Sequence, residues 1–121
     1  MPVEFGQLEE TVKWANPRQM RGHVSDVVGL AWAKDSSFLA SCSLDSTTIL
    51  WHIDAKSNKF VKLQTFEGHK KYVQGVSIDP FMKYIASQSS DSTVRIYKNR
   101  KMKKETQFFH KTTIKSREEV I

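Results

Sequence analysis

The chain has 121 residues, 39 % of them hydrophobic and 26 % charged, the composition of a folded globular protein with one modest core rather than of a disordered chain. Its longest apolar run, residues 27–33, is far short of the roughly 20 residues of a membrane helix, and residues 1–10 carry acids and no apolar block, unlike a secretory leader. The single cysteine, Cys42, excludes an internal disulfide framework and suits a reducing compartment. The net charge of +6 is uneven: residues 1–97 hold 11 basic and 10 acidic side chains, residues 98–121 hold 8 and 3.

In chain order, residues 1–20 read as an N-terminal extension with a turn at Asn16-Pro17, and residues 18–21 as the end of an outer strand of a preceding sheet. Residues 27–32 form a mostly apolar run, as expected of an inner strand covered on both faces. A polar turn at residues 34–37 leads to a second strand at 38–43, and residues 44–46 turn the chain into the β-branched stretch 47–51. After a loop at 54–58, residues 60–66 make an outer strand whose Lys62 and Gln64 fit a solvated face. The order then repeats, with strands at 72–78, 83–89 and 92–97 and a turn at Asp79-Pro80. A basic run follows at 98–104, then a fourth strand at 106–109. Residues 110–121 read as a basic tail without an apolar stripe.

The repetition is strict. Gly22-His23 returns as Gly68-His69, Asp45-Ser46-Thr47 as Asp91-Ser92-Thr93, and Trp51 as Tyr97, all at an offset of 46. Without any gap, 10 of the 31 residues from 21 to 51 match their partners. A fixed period with Gly-His at one end and an aromatic residue at the other is the signature of a WD-type β-propeller blade. The fold class is therefore all-β, a partial propeller of two four-stranded antiparallel blades at 21–66 and 67–109.

In such a blade the His, a Ser on the second strand, the turn Asp and the aromatic residue form a hydrogen-bonded set that holds the strands in register. The candidates are His23, Ser41 (or Ser43), Asp45 and Trp51, and His69, Ser87 (or Ser89), Asp91 and Tyr97. Tyr97 still offers a donor in place of the indole N–H. A Ser-His-Asp hydrolase reading fails because the set occurs twice and no Gly-x-Ser-x-Gly elbow is present. His23, His52, His69 and His110 show no metal-ligand spacing, and Cys42 reads as a small core residue. No enzyme activity, cofactor, metal, membrane or small-molecule substrate is expected. Lys98, Arg100, Lys101, Lys103 and Lys104 form a basic run suited to nuclear import or to salt-sensitive, sequence-independent nucleic-acid contact.

The second repeat is more specific than a generic blade. Gly68-His69-Lys70-Lys71-Tyr72-Val73-Gln74-Gly75-Val76, then Asp79-Pro80, then Lys83-Tyr84-Ile85-Ala86-Ser87-Gln88-Ser89-Ser90-Asp91, closely resembles the WD-repeat histone chaperones of chromatin assembly. Tyr72 to Val76 is most similar to the propeller-forming middle subunit of chromatin assembly factor one, and Ala86-Ser87-Gln88 equally similar to the HIRA/Hir proteins. Ser77-Ile78 departs from the aromatic residue usual before Asp-Pro, and Trp51-His52 replaces Trp-Asp. The resemblance implies a nuclear, non-enzymatic scaffold that helps deposit histones onto DNA in replication- or repair-coupled assembly. Its partners would be assembly subunits, histones or histone-carrying chaperones. Blade geometry places Ser25, Asp26, Leu44, Lys71, Tyr72 and Ser90 within a partner's reach, with Tyr72 as anchor. The alternatives are a generic WD-repeat scaffold in another pathway and a truncated, non-functional fragment. Related propellers have about seven blades, so two imply a piece of a larger propeller or a unit that self-associates.

Overall fold

The structure, a computed structural model, describes residues 19–33, 36–54, 56, 59–100 and 106–115. The first sheet joins β1 (Val27–Trp32), β2 (Phe38–Ser43), β3 (Thr48–Asp54) and β4 (Lys59–Phe66). The second joins β5 (Val73–Ile78), β6 (Tyr84–Ser89), β7 (Thr93–Asn99) and β8 (Phe108–Lys115). Each sheet is antiparallel with its strands in sequence order, and no helix occurs among the described residues. Two unclosed four-stranded sheets are what a partial β-propeller presents.

Local chemistry sets the turns. Between β2 and β3 the Ser46 N–H donates to the Ser43 carbonyl at 3.2 Å, with Ser46 left-handed at φ 74°. Ser92 repeats this, donating to the Ser89 carbonyl at 3.2 Å with φ 70°. Ending a hairpin turn on a left-handed residue matches the right-handed twist of the flanking strands. Between β5 and β6, Asp79 Oδ2 accepts from the N–H groups of Phe81 and Lys83, a side-chain mimic of a backbone turn. Register irregularities also repeat at the 46-residue offset, at Val27/Gly29 and Val73/Gly75, and at Leu50/Trp51 and Ile96/Tyr97.

The main core lies between the sheets. Leu50 and Phe66 of the first meet Ile85, Tyr97 and Phe108 of the second, with Phe38, Val76, Ile78 and Met82 packed around them. Phe66 stands 4.4 Å from Tyr97 and edge-on to Phe108, centroid to centroid. At the inner strands the backbones meet closely: a Cβ on Gly29 would lie 3.8 Å from Gly75 Cα and 2.7 Å from Cys42 Sγ. A smaller cluster of Leu39, Ile49 and Trp51, joined by Met20 and Ile53, sits on the first sheet's other face.

Three strand-level expectations are corrected. Gln64 is half-buried rather than solvated. Its amide NH2 donates to the Phe108 carbonyl at 2.7 Å, and its oxygen accepts the Phe108 N–H at 3.0 Å, tying β4 to β8 across the sheets. The inner strand β1 is not covered on both faces. Leu30 and Trp32, opposite Ser41 and Leu39, are 60 % and 54 % exposed, because the second sheet packs only on the Gly29 side. The last strand continues to Lys115 rather than stopping near residue 109. Thr112, Thr113 and Ile114 supply β-branched propensity. No apolar stripe betrays the strand, because in β8 only Phe108 is buried.

Candidate functional site

Each Gly-His loop lies over the following hairpin turn, and a directed chain of polar contacts joins them. In the first sheet Trp51 Nε1–H donates to Ser41 Oγ at 2.9 Å, and Ser41 Oγ lies 2.8 Å from His23 Nε2. His23 Nδ1 lies 3.0 Å from Asp45 Oδ2. With the indole able only to donate and the carboxylate only to accept, the neutral Nδ1–H tautomer of His23 satisfies every link. The Ser41 hydroxyl then donates to Nε2. Ser41 and Ser43 share one face of β2, and it is Ser41, one step further from the turn, that lies between His23 and Trp51. Ser43 instead donates to the Ser25 carbonyl and accepts the Asp45 N–H, bracing the loop and the turn.

Asp45 is surrounded by donors. Besides His23, its oxygens accept the Val24 N–H at 3.0 Å, the Thr47 N–H at 2.9 Å and the Thr47 hydroxyl. Burial alone would push the carboxyl up, but these bonds, led by the Thr47 hydroxyl, together hold it down at about 2. Asp91 is lowered further by the same balance, with Thr93, the Lys70 N–H and His69 outweighing desolvation. Cys42, fully buried on β2, has its thiol pushed up by burial.

The second set departs at one position. His69 Nδ1 lies 3.1 Å from Asp91 Oδ2 and His69 Nε2 lies 2.9 Å from Ser87 Oγ. Ser89 takes the place of Ser43, donating to the carbonyls of Lys71 and Tyr72 and accepting the Asp91 N–H. Tyr97, however, does not join Ser87. Its hydroxyl accepts from Arg95 Nε at 3.0 Å. A phenol carries its oxygen at the far end of the ring, past the serine that an indole N–H reaches from the ring's side. The guanidinium so placed explains Gly68, where φ is 141° and a Cβ would fall 2.6 Å from Arg95 Cζ.

Above these sets the loops form a rim. Ser25, Asp26, Leu44, Lys71 and Tyr72 are exposed. Ser90 is half-buried, with a buried hydroxyl that has no partner, so of the six rim candidates it is the one not displayed. The turn pulls it inward, its N–H donating to the Tyr72 carbonyl at 3.1 Å. Of the basic run, Lys98 lies near the end of β7 and Arg100 just beyond it, while Lys101, Lys103 and Lys104 lie outside the described residues. His52 packs against the Phe38 ring and His110 against Tyr97, well apart from both His–Asp pairs in register.

The CAF1B/HIR1 beta-propeller domain matches residues 3–120. The chain belongs to this family. It is 40 % identical over 95 residues to Protein HIR1 of Mycosarcoma maydis, covering 78 % of this chain and 9 % of that protein. It is 40 % identical over 98 residues to a chromatin assembly factor 1 subunit of Mus musculus, covering 81 % and 16 %. The corresponding Gallus gallus protein is 37 % identical over 100 residues, covering 79 % and 17 %. The chain thus spans less than a fifth of the length of these relatives.

Within this CAF1B/HIR1 propeller unit, sequence reasoning leaves out three contributors. Thr47 and Thr93 each bond the turn Asp through both N–H and hydroxyl and lie within 3.2 Å of the His Nδ1. Their identity across the repeat, two residues after each Asp, is a usable signal. Val24, 89 % exposed beside the turn it braces, is the rim's most exposed apolar side chain. Its partner in the second repeat is Lys70, so the repeat gives no hint of it.

Proposed function

We propose that this chain is a non-catalytic, nuclear scaffold for nucleosome assembly, holding assembly subunits or histone-carrying partners on the rim formed by Val24, Ser25, Asp26, Leu44, Lys71 and Tyr72. The observation that carries the reading is the family match over residues 3–120, joined to relatives named for chromatin assembly. The polar sets supply the physical reason. Each His–Asp pair pins a loop to a turn, and both faces of the contact are satisfied, so the rim is presented with little ordering left to be done on binding. Tyr72 is the anchor, an exposed aromatic side chain whose backbone carbonyl is held by the Ser89 hydroxyl and the Ser90 N–H.

The same geometry argues against hydrolysis. Ser41 Oγ is engaged by both His23 and Trp51 and is almost wholly buried, leaving no path for a substrate. The test is direct binding of the purified chain to core histones and to recombinant chromatin assembly factor subunits, with Tyr72→Ala as the variant. Binding that weakens about tenfold in Tyr72→Ala supports the rim. Unchanged affinity in the variant overturns the rim, and no binding by the parent overturns the scaffold reading.

A further inference from the structure

The outer edge of the second sheet carries chemistry that the rim does not use. Among the described residues from 93 to 115 there are five cations, Arg95, Lys98, Arg100, Lys111 and Lys115, and no Asp or Glu. The ion pairs among the described residues are His23–Asp45 and His69–Asp91, so none of these five has a carboxylate partner there. Among the described residues β8 pairs only with β7, and every residue from Phe109 to Lys115 is exposed. At Phe108 the Gln64 amide takes the backbone groups of the free side, and from Phe109 to Lys115 that side is available to another strand.

The two faces of this edge differ. β8 slips by one residue against β7 between His110 and Thr112, so His110, Thr113 and Lys115 share one face with Lys111 at the slip, and the ladder sets Arg95 opposite Thr113, with Arg95 Nη1 3.5 Å from Thr113 Oγ1. His110 Nε2 lies 2.8 Å from the same hydroxyl. The opposite face shows Phe109 and Ile114, both exposed, with Arg100 over the Phe109 ring at 6.0 Å. A strand added here would lay one row of side chains along cations and the other along apolar groups.

We propose that β8 is a docking edge for an extended segment of a partner protein in which acidic and apolar residues alternate. Main-chain hydrogen bonds along the strand would supply affinity, and the two unlike faces would fix the register of the incoming side chains. The lysines that receive an acidic strand also reject a second copy of β8, because that pairing would set like charges across from each other. A nucleic-acid backbone would use the cations but neither the open strand edge nor Phe109 and Ile114. The inference stands on the edge itself and does not rest on the chromatin reading.

The test uses the 121-residue chain and a fluorescein-labelled ten-residue peptide of alternating Glu and Val, followed by anisotropy at low salt. Binding is expected, and a Lys111→Glu, Lys115→Glu double variant should weaken it at least tenfold. Both side chains are exposed, so a circular dichroism spectrum matching the parent verifies that the variant folds. The same peptide N-methylated at alternate residues keeps its charge and loses strand pairing, and should also weaken at least tenfold. Full affinity of the methylated peptide, full affinity of the double variant, no binding by the parent, or tighter binding to a 20-base-pair DNA duplex than to the peptide would each overturn the proposal.

Discussion

At the scale of single residues, the turn aspartates are held from several sides at once. Asp45 accepts from a histidine, two backbone N–H groups and a threonine hydroxyl, and Asp91 from the corresponding four donors. All these bonds favour the charged carboxylate, so both folded-state values lie below the ordinary 3.8. The unfolded chain then binds more protons than the folded one below about pH 4, and stability rises with pH there. The contribution is complete above the unfolded value and is lost as pH falls through the folded one, toward about 2 for Asp45. Urea midpoints taken from pH 6 to pH 2 should hold steady to about pH 4 and then drop. In an Asp45→Asn, Asp91→Asn variant the midpoint at pH 6 should already be low and the acid drop much smaller. An acid drop of equal size in the variant would assign it to other carboxylates. Most of this is legible in the sequence, since six-residue Asp-to-aromatic spacing and the repeated Gly-His name the participants. What is not legible is Tyr97, because donor chemistry is read from residue type whereas reach depends on where the ring places its oxygen.

At the scale of elements, strand order and turns follow from local pattern, while coverage does not. β-branched runs and polar turn clusters are local signals, and they locate β2, β6 and β7 within a residue or two, while β3 runs three residues past Trp51. Whether a strand face is buried depends on what packs from elsewhere, which is why the pattern misleads on one face of β1 and at Gln64. β1 and β5 also show why small residues recur at fixed positions. Gly29 and Gly75 lie where the two inner strands approach, and Cys42 fills the space beside Gly29. A Gly29→Ala side chain would need Cys42 to shift away from a 2.7 Å overlap while the Gly75 backbone holds the other side. Overpacking of this kind costs about 1–3 kcal/mol, and the thermal midpoint should fall by several degrees. A Gly29→Ala, Cys42→Ala double variant relieves the overlap and should recover part of the loss beyond additivity. Gly75→Ala, whose nearest neighbour would be Gln88 Oε1 at 3.8 Å, should be tolerated better. Equal losses at the two glycines would show that the close approach is not what matters.

At the scale of the whole molecule, neither sheet has a sufficient core of its own. The larger cluster takes Leu50 and Phe66 from one sheet and Ile85, Tyr97 and Phe108 from the other, so each sheet's folding depends on its neighbour, as in repeat proteins whose stability resides in interfaces. The Gln64 amide closes that interface with two hydrogen bonds to one residue, and Phe108 is almost wholly buried. Gln64→Ala would strand the Phe108 N–H and carbonyl away from water, at a cost of about 2 kcal/mol. Because the clamp belongs to neither sheet alone, the loss should appear in both. Hydrogen exchange of β2 and β6 amides reads the opening free energy of each sheet separately. The two should agree in the parent chain and fall together, by the same amount, in Gln64→Ala. A fall confined to β6, or unequal opening free energies in the parent, would mean that the sheets fold as separate units and that the clamp only trims one edge.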